Sequence, residues 1–336
     1  MSAAFSFGTA RAEAGQKSFG VLPIGSLADG TPVEIPVVVV NGARPGKRLF
    51  VQAGVHGKEL NPIEVMRRVV TDLDPAELSG LLVGVLIANP LSFEARDRRA
   101  PYDQEDMNRV WPGKPDGAIS QRMAHAIYEG GVRGSDALVD LHTGYSTMLT
   151  HTVFGEGDTA SEELARVFGT EALLMEEHDE DWQRARFAGK LRNTAVADGI
   201  PAITPELGGH SRFEEGRIAE GVTGILNVLR HLGMLPGEVV RPARQFVVRN
   251  HLTRVTVDRG GLFLASVQPG DEVRAGDRLG ILYSPRDFTE VAAVTSPNDA
   301  IVVSIAENPV LHTGDSAAML GKKGEESDER RATSDE

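Results

Sequence analysis

Short apolar runs alternate along the chain with segments in which apolar residues recur every three or four positions. The runs predict strands at residues 36–40, 49–54, 81–88, 137–141 and 201–206. The second pattern predicts helices with one apolar face around Ile63, Met66, Val70 and Leu73, and around Ile218, Val222, Ile225, Leu229 and Leu232. Strands that alternate with helices indicate an α/β fold, a mostly parallel sheet flanked by helices.

The pattern changes after Pro236-Gly237 and Pro242, and short runs separated by glycine-rich turns follow. We therefore predict an α/β domain at 1–240, a smaller all-β domain at 241–321 and a disordered charged tail at 322–336. The turns of the β domain resemble those of lipoyl-like sandwich folds. A carrier function would need a lysine on a hairpin, and residues 245–320 contain no lysine, so we interpret this domain as structural.

Two potential metal ligands follow the second predicted strand. His56 and Glu59 lie between Gly54, where that strand ends, and a helix that starts near Asn61. An imidazole nitrogen and a carboxylate oxygen both suit zinc, and the three-residue spacing allows both to reach one ion. Such pairs are also common on solvated turns, so the pair alone leaves both interpretations open.

A third potential ligand, His142, follows the strand at 137–141. Ligands bind at the carboxyl ends of strands in open α/β sheets. Three protein ligands and one open position are typical of catalytic zinc, and the absence of cysteine excludes a closed thiolate site. Strand alternation places Asp140 on the same side as His142, where it either contacts a ligand ring or faces water.

A catalytic site also needs a base, and Glu206 is the candidate. It ends the strand at 201–206 and precedes Gly208-Gly209, where the backbone can approach closely. A capping or surface glutamate is the alternative. The loop after the strand at 81–88 carries Arg96, Arg98, Arg99 and Arg109. A guanidinium pairs well with a carboxylate or a polarised carbonyl, although a solvated loop is an alternative, particularly for Arg96 and Arg99.

Four motifs occur in an order that resembles the succinylglutamate desuccinylase/aspartoacylase family, a branch of the zinc carboxypeptidase-like hydrolases. They are HGKE, NP followed by arginine and DMNRVWPG, DLHTG, and ITPELGG, and the resemblance covers roughly residues 30–320. It implies that one zinc ion per chain is bound by His56, Glu59 and His142. It also implies that Glu206 is the catalytic carboxylate, and that the β domain walls the active site.

The resemblance further implies that Arg98 polarises the scissile carbonyl, a choice that depends on its distance after Phe93. Asn108 and Arg109 would hold a substrate carboxylate. The sequence departs from the family pattern at three positions. Lys58 stands where relatives usually carry an acidic or amide residue, and Met107 and Trp111 replace leucine and phenylalanine conservatively.

The implied activity is zinc-dependent hydrolysis of the amide bond in a small N-acyl amino acid or related amide. Zinc would activate water, Glu206 would accept its proton, and the leaving nitrogen would receive that proton. One alternative is a zinc carboxypeptidase acting on peptides, which would share the metal, the base and the arginines. Another is a non-catalytic metal-containing binding protein, against which the presence of Glu206 counts.

Composition restricts the partners. A formal net charge of -13 without a cluster of basic residues argues against nucleic acid as a partner. No run approaches the roughly 20 apolar residues of a membrane span, and residues 1–20 lack the apolar core of a secretory signal. We therefore expect a cytoplasmic protein that can form a homo-oligomer. His151 could line the pocket, His210 could approach the metal or substrate, and Tyr145 could reach the substrate or simply pack. His125 is expected to be a helix-surface or packing residue.

Overall fold

The computed structural model describes residues 3–144, 147–176 and 189–327. Within these ranges the helices are α1 (Leu60–Asp72), α2 (Pro90–Ala95), α3 (Ile119–Ile127), α4 (Thr159–Phe168), α5 (Leu191–Ala197) and α6 (Glu215–His231). The strands up to the end of α6 are β1 (Phe5–Phe7), β2 (Ala10–Ala12), β3 (Gln16–Ser26), β4 (Pro32–Asn41), β5 (Arg44–Gln52), β6 (Ser79–Val85), β7 (Ala137–Asp140), β8 (Thr147–Met148), β9 (His151–Gly155), β10 (Ala172–Glu176) and β11 (Ala202–Glu206). The later strands are β12 (Gln245–Thr256), β13 (Gly261–Ala265), β14 (Glu272–Val273), β15 (Arg278–Tyr283), β16 (Glu290–Thr295), β17 (Ala300–Ile305), β18 (Val310–Leu311) and β19 (Ser316–Ser327).

A 13-stranded mixed sheet forms the centre of the fold. Strands β6, β5, β7 and β11 lie side by side and pair in parallel, so their carboxyl ends share one edge. All five strands predicted from apolar runs are present in this sheet as β4, β5, β6, β7 and β11. The predicted α/β fold is confirmed. Parallel pairs occupy the middle of the sheet, interrupted there by the antiparallel pair of β9 and β11, and antiparallel pairs form both ends.

Helices cover both faces of this sheet, because the strands are apolar on both sides. On one face α1 and α6 bury Val65, Met66, Ile225 and Leu229 against Val51 and related strand residues. On the other face α3 and α5 pack in a second apolar cluster that includes Phe50 and Leu138. Each fully buried side chain of this size stabilises the fold by about 1.5–3 kcal/mol. The site described below lies at the edge of this rigid layer.

The C-terminal strands continue the central sheet instead of forming a detached unit. Strand β12 pairs in parallel with β10 and antiparallel with β19, so hydrogen bonds cross the boundary predicted near 240. A separate four-stranded sheet, β16-β15-β13-β18, packs on β12, β17 and β19 through a third apolar cluster. Strand β19 extends to Ser327, past the predicted start of the disordered tail at 322, and residues 328–336 lie outside the described ranges.

In the described ranges, no helix is both long enough and apolar enough to cross a membrane.

Candidate metal centre

The loop that carries the first two candidate ligands is fixed by close backbone contacts. After β5 the chain turns at Gly54, whose φ of 67° lies in the left-handed region that glycine adopts without strain. The amide of Gly57 then donates to Ser92 Oγ at 3.0 Å and to the carbonyl of Asp97 at 2.8 Å. A Cβ at Gly57 would overlap the carbonyl of Ser92. These contacts hold His56 and Glu59 between the end of β5 and the start of α1.

The third candidate ligand is fixed by the neighbouring strand. His142 lies just beyond the end of β7, where its amide donates to the carbonyl of Pro205 at 2.9 Å. Its own carbonyl accepts from the amide of Leu207 at 2.8 Å. These two bonds form a parallel bridge that places His142 and Glu206 opposite each other. The general base candidate therefore lies one strand away from a candidate ligand.

The three side chains converge as the sequence predicts. His56 Nδ1 lies 2.7 Å from Glu59 Oε1, and His142 Nδ1 lies 2.9 Å from Glu59 Oε2. The ligand atoms lie within 4.8 Å of one another, and all three residues are buried, with 3%, 3% and 2% of their surface exposed. Such a group of two imidazoles and a carboxylate can bind a metal ion, and its donor types suit zinc.

Two further carboxylates hold the outer nitrogens of the histidines. Asp106 Oδ1 lies 3.1 Å from His56 Nε2, and Asp140 Oδ2 lies 3.1 Å from His142 Nε2. Asp140 is 1% exposed, so of the two placements left open by the sequence it adopts the contact with His142. When a carboxylate accepts from Nε2, Nδ1 is the nitrogen available to a metal, so both rings present the correct atom.

Electrostatics in the metal-free protein follow from this arrangement, since each imidazole lies between two carboxylates. Burial alone would lower the pKa of His56, but Glu59 and Asp106 outweigh it and raise that pKa. Burial would also lower the pKa of His142, but Asp140 and Glu59 outweigh it and raise that pKa well above 6.5. Burial would raise the pKa of Glu59, yet the two histidines lower it to about 2. A divalent cation that displaced one Nδ1 proton from each ring would leave the net charge unchanged, which favours such an ion here.

Glu206, the last residue of β11, carries a buried oxygen without a partner. Its Oε2 has no hydrogen-bond partner among the described residues, although buried carboxylate oxygens are normally satisfied. Its cross-strand neighbour on β9 is His151, which is 5% exposed and whose Nδ1 lies 2.8 Å from the carbonyl of Leu149. Directly opposed residues of antiparallel strands share one face, so His151 lies beside Glu206.

The remaining predicted residues lie around Asp106. Arg98 Nε donates to Asp106 Oδ2 at 2.7 Å, so this guanidinium contacts the carboxylate that holds His56. Asn108 Nδ2 lies 3.4 Å from His142 Nε2, and Asn108 Oδ1 accepts from the amide of Leu191 at 3.2 Å. Arg109 is exposed and donates through Nη1 to the carbonyl of Asn108 at 2.6 Å. Arg98 and Asn108 thus lie beside the metal group, and Arg109 lies at its outer rim.

Comparison with known proteins gives the family. The model of the succinylglutamate desuccinylase/aspartoacylase catalytic domain matches residues 45–232, which is more than half of the chain and includes every candidate ligand. The chain belongs to the succinylglutamate desuccinylase/aspartoacylase family. The resemblance inferred from the four motifs is therefore confirmed.

Relatives of this family are similar to the chain over most of its length. The N-alpha-acetyl-L-2,4-diaminobutyric acid deacetylase of Halomonas elongata is 26% identical over 303 residues, which cover 86% of each chain. The succinylglutamate desuccinylase of Pseudomonas paraeruginosa is 33% identical over 201 residues, 54% of this chain and 56% of the relative. These relationships support a hydrolase that removes an acyl group.

Solved structures support the fold. The succinylglutamate desuccinylase/aspartoacylase of Rhodobacter sphaeroides superimposes with a TM-score of 0.81 at 25% identity, covering 92% of this chain and 96% of the other. The product-bound ectoine utilization protein EutE (DoeB) of Ruegeria pomeroyi also gives a TM-score of 0.81, at 23% identity, covering 91% of this chain and 95% of the other. The succinylglutamate desuccinylase/aspartoacylase fold therefore extends across the C-terminal strands as well as the matched catalytic domain.

The other candidate side chains have different surroundings. His210 Nε2 pairs with Glu307 Oε2 at 3.0 Å, and His210 is not part of the metal group of the described residues. His125 lies half-buried on α3, as expected for a packing residue. Tyr145 lies outside the described residues. His210 therefore contacts the loop between β17 and β18 through Glu307, and its approach to the metal or substrate stays a prediction.

Sequence reasoning missed several charged residues around the site. Asp106 had no assigned role, although an aspartate two residues before Asn108 is a local signal for a helix cap, and its Oδ1 accepts from the Asn108 amide at 2.9 Å. A buried ion pair between Glu176 and Arg192 was also missed. Burial lowers the pKa of Arg192 to about 10, against the opposing charges of Asp158 and Asp140. No local pattern in the sequence indicates this pair.

Proposed function

We propose that this protein is a zinc-dependent deacylase that hydrolyses the amide bond of a small N-acyl amino acid. The observation that carries the proposal is the buried His56, Glu59 and His142 group beside Glu206, whose Oε2 has no partner among the described residues. A purely structural ion would not need a carboxylate with an unused oxygen on the adjoining strand. The family relationship supports the same class of reaction.

His56 Nδ1, His142 Nδ1 and the carboxylate of Glu59 would hold one zinc ion. When bound, zinc supplies Lewis-acid chemistry, which polarises a carbonyl oxygen and makes water more acidic. Asp106 and Asp140 hold the two rings so that Nδ1 faces the ion.

Glu206 would act as the base and then as the acid. Its carboxylate would accept a proton from the attacking water as the new C–O bond forms at the amide carbon. As the C–N bond breaks, the same carboxyl would return that proton to the leaving nitrogen, so the products are a carboxylate and an amine. Arg98, which contacts Asp106 beside His56, would stabilise the negative charge that develops on the carbonyl oxygen. One such donor typically contributes about 3 kcal/mol.

Asn108 and Arg109 would bind the carboxylate of the substrate amino acid. The amide of Asn108 is buried beside His142, and Arg109 is exposed next to it, an arrangement in which a substrate can enter from solvent. A planar guanidinium matches a carboxylate through two parallel hydrogen bonds. This assignment sets the class of substrate as an amino acid derivative with a free carboxylate.

The acyl group is small in both relatives, acetyl in one and succinyl in the other. Lys58 bears on this choice, because it lies between the candidate ligands and its ammonium group has no ion-pair partner in the parts of the chain that the structure describes. A half-buried cation there would favour an acyl group that ends in a second carboxylate. We therefore propose an N-succinyl-type amino acid ahead of an N-acetyl one.

The C-terminal strands would form one wall of the pocket. Strand β17 pairs with β8, which follows the His142 loop, and Glu307 pairs with His210, which follows Glu206. Both contacts join the 241–321 segment to loops beside the metal group. A cytoplasmic location and a homo-oligomeric state remain predictions from the sequence.

The test is a comparison of Glu206→Gln with the wild type. The variant should keep its zinc and lose about 100- to 10,000-fold in kcat, because general acid-base catalysis has that typical magnitude. Glu238→Gln, at an exposed glutamate, is the matched control and should retain full activity. Amine release is measured from N-acetyl and N-succinyl amino acids and from short peptides.

Each arm of this experiment has a distinct meaning. Full activity of Glu206→Gln would remove the proposed base. Activity on peptides alone would favour a carboxypeptidase, and zinc binding without any hydrolysis would favour a binding protein.

A further inference from the structure

Gln52 is a fully buried polar residue that contacts Asp140, the carboxylate next to the ring of His142. It is the last residue of β5, has 0% of its surface exposed, and is paired in register with Asp140 on β7. Its carbonyl accepts from the amide of Leu141 at 3.0 Å, which fixes its backbone. Its side chain donates from Nε2 to Asp140 Oδ1 at 2.8 Å.

The orientation of this amide is set by its partner. An ionised carboxylate accepts hydrogen bonds and donates none, so the nitrogen of Gln52 must face Asp140. The other atom, Oε1, is then buried and has no hydrogen-bond partner among the described residues. An unsatisfied buried polar atom is unfavourable. An apolar residue would avoid it, which indicates that the bond to Asp140 serves the site and not the packing of the sheet.

We propose that Gln52 is a positioning residue for His142 and that it acts through Asp140. Asp140 Oδ1 accepts from Gln52 Nε2, and Asp140 Oδ2 accepts from His142 Nε2 at 3.1 Å. With one bond on each oxygen, the carboxylate is held against rotation about its terminal torsion. The ring of His142 is therefore held with Nδ1 toward Glu59. This inference depends on the proposed function, since it concerns how a metal ligand is oriented.

The other histidine has an equivalent support. Asp106 Oδ1 contacts His56, and Asp106 Oδ2 accepts from Arg98 Nε at 2.7 Å. Each ligand ring thus has a carboxylate at its Nε2, and each carboxylate also accepts a hydrogen bond from another side chain. On the His142 side that donor is the neutral amide of Gln52, which is buried on the strand and cannot reach solvent.

A double-mutant cycle on zinc affinity tests the proposal. Gln52→Met removes the donor and keeps most of the volume, and Asp140→Ala removes the residue through which Gln52 is proposed to act. Affinity is measured by competition with a chromophoric chelator. We expect Gln52→Met to weaken zinc binding about 3- to 10-fold in the wild-type background, at or below the 10- to 100-fold effect typical of residues that contact a ligand directly. In the Asp140→Ala background it should have no further effect.

Two additional measurements separate positioning from packing. Gln16→Met, an exposed glutamine on β3, makes the same chemical change away from the site and should leave zinc affinity unchanged. The visible absorption spectrum of the cobalt-loaded protein reports ligand geometry, and it should change in Gln52→Met. This second readout also decides the question if Asp140→Ala does not fold.

The outcomes distinguish this inference from the function on which it depends. A wild type that binds no zinc refutes the proposed function and this inference with it. A wild type that binds zinc, with Gln52→Met unchanged in affinity and cobalt spectrum, refutes the inference alone. The inference also fails if Gln52→Met has the same effect in both backgrounds.

Discussion

Replacing Asp106 with asparagine removes the carboxylate that holds the ring of His56, while the size of the side chain is kept. Asp106 accepts three hydrogen bonds, from His56 Nε2, from Arg98 Nε and from the amide of Asn108. An asparagine oxygen in the place of Oδ1 can keep the bonds to the Asn108 amide and to His56 Nε2, although its bond to His56 loses the negative charge. Its NH2 group would then face Arg98, where donor meets donor, so that contact and the charge beside His56 are lost.

The magnitude follows from the burial of this contact. The His56 and Asp106 side chains are 4% and 11% exposed, so water screens their interaction little. A hydrogen bond to a charged group contributes about 1.5–3 kcal/mol and one to a neutral group about 0.5–1.5 kcal/mol, and every 1.4 kcal/mol corresponds to a factor of ten in affinity. The difference of about 1–1.5 kcal/mol, together with the lost Arg98 contact, gives an expected fall in zinc affinity of about tenfold, at the lower end of the usual effect of outer partners of metal ligands.

The measurement should be made above neutral pH, because Asp106 also affects the competing proton. Burial lowers the pKa of His56, but Glu59 and Asp106 raise it, so the asparagine variant should bind that proton less tightly. At about pH 8.5 proton competition is smaller than at neutral pH and the loss of orientation dominates. Competition with a chelator gives the affinity, and Asp116→Asn, at an exposed aspartate, is the control. Wild-type zinc affinity in Asp106→Asn would refute the role of Asp106.

Three further predictions concern the same region. In the metal-free protein the raised pKa values of His56 and His142 stabilise the fold below about pH 6.5, and this contribution is lost as pH rises through those values. Because zinc displaces these protons, the gain in Tm on adding zinc should grow between about pH 6 and 8, and a constant gain would contradict the geometry. Gly57→Ala would push a Cβ against the carbonyl of Ser92, so it should lower the free energy of unfolding, measured in urea, by about 1–3 kcal/mol. An unchanged unfolding midpoint would mean that the loop shifts freely. Lys58→Gln should lower the ratio of kcat/KM for N-succinyl over N-acetyl substrates by about fivefold or less, since a partly exposed ion pair contributes about 1 kcal/mol or less. A ratio equal to that of the wild type would exclude Lys58 from acyl selection.

The predicted strands and ligands could be found from sequence because their signals are local. A polar residue at the end of an apolar strand, two positions from a glycine, is placed at the edge of the sheet, and this holds for His56, His142 and Glu206. Helix α1 was equally clear, since Met66 and Val70 recur on one face and are both buried.

Contacts between distant loops could not be found in this way. Asp106 meets His56 across 50 residues, and Gln52 meets Asp140 across 88, through the register of two strands and the path of one loop. Short apolar runs give strand positions without naming the neighbouring strand. The same limitation applies to β12, whose pairing with β10 joins the two predicted domains into one sheet.

The most direct test of the account is the metal content of the purified protein. After dialysis against metal-free buffer, the wild type should retain about one zinc ion per chain, because a three-ligand site binds zinc tightly. His142→Ala should retain almost none, and His125→Ala, which removes a half-buried histidine on α3, should match the wild type. Equal zinc in all three proteins, or no zinc in the wild type, would contradict the proposed metal centre.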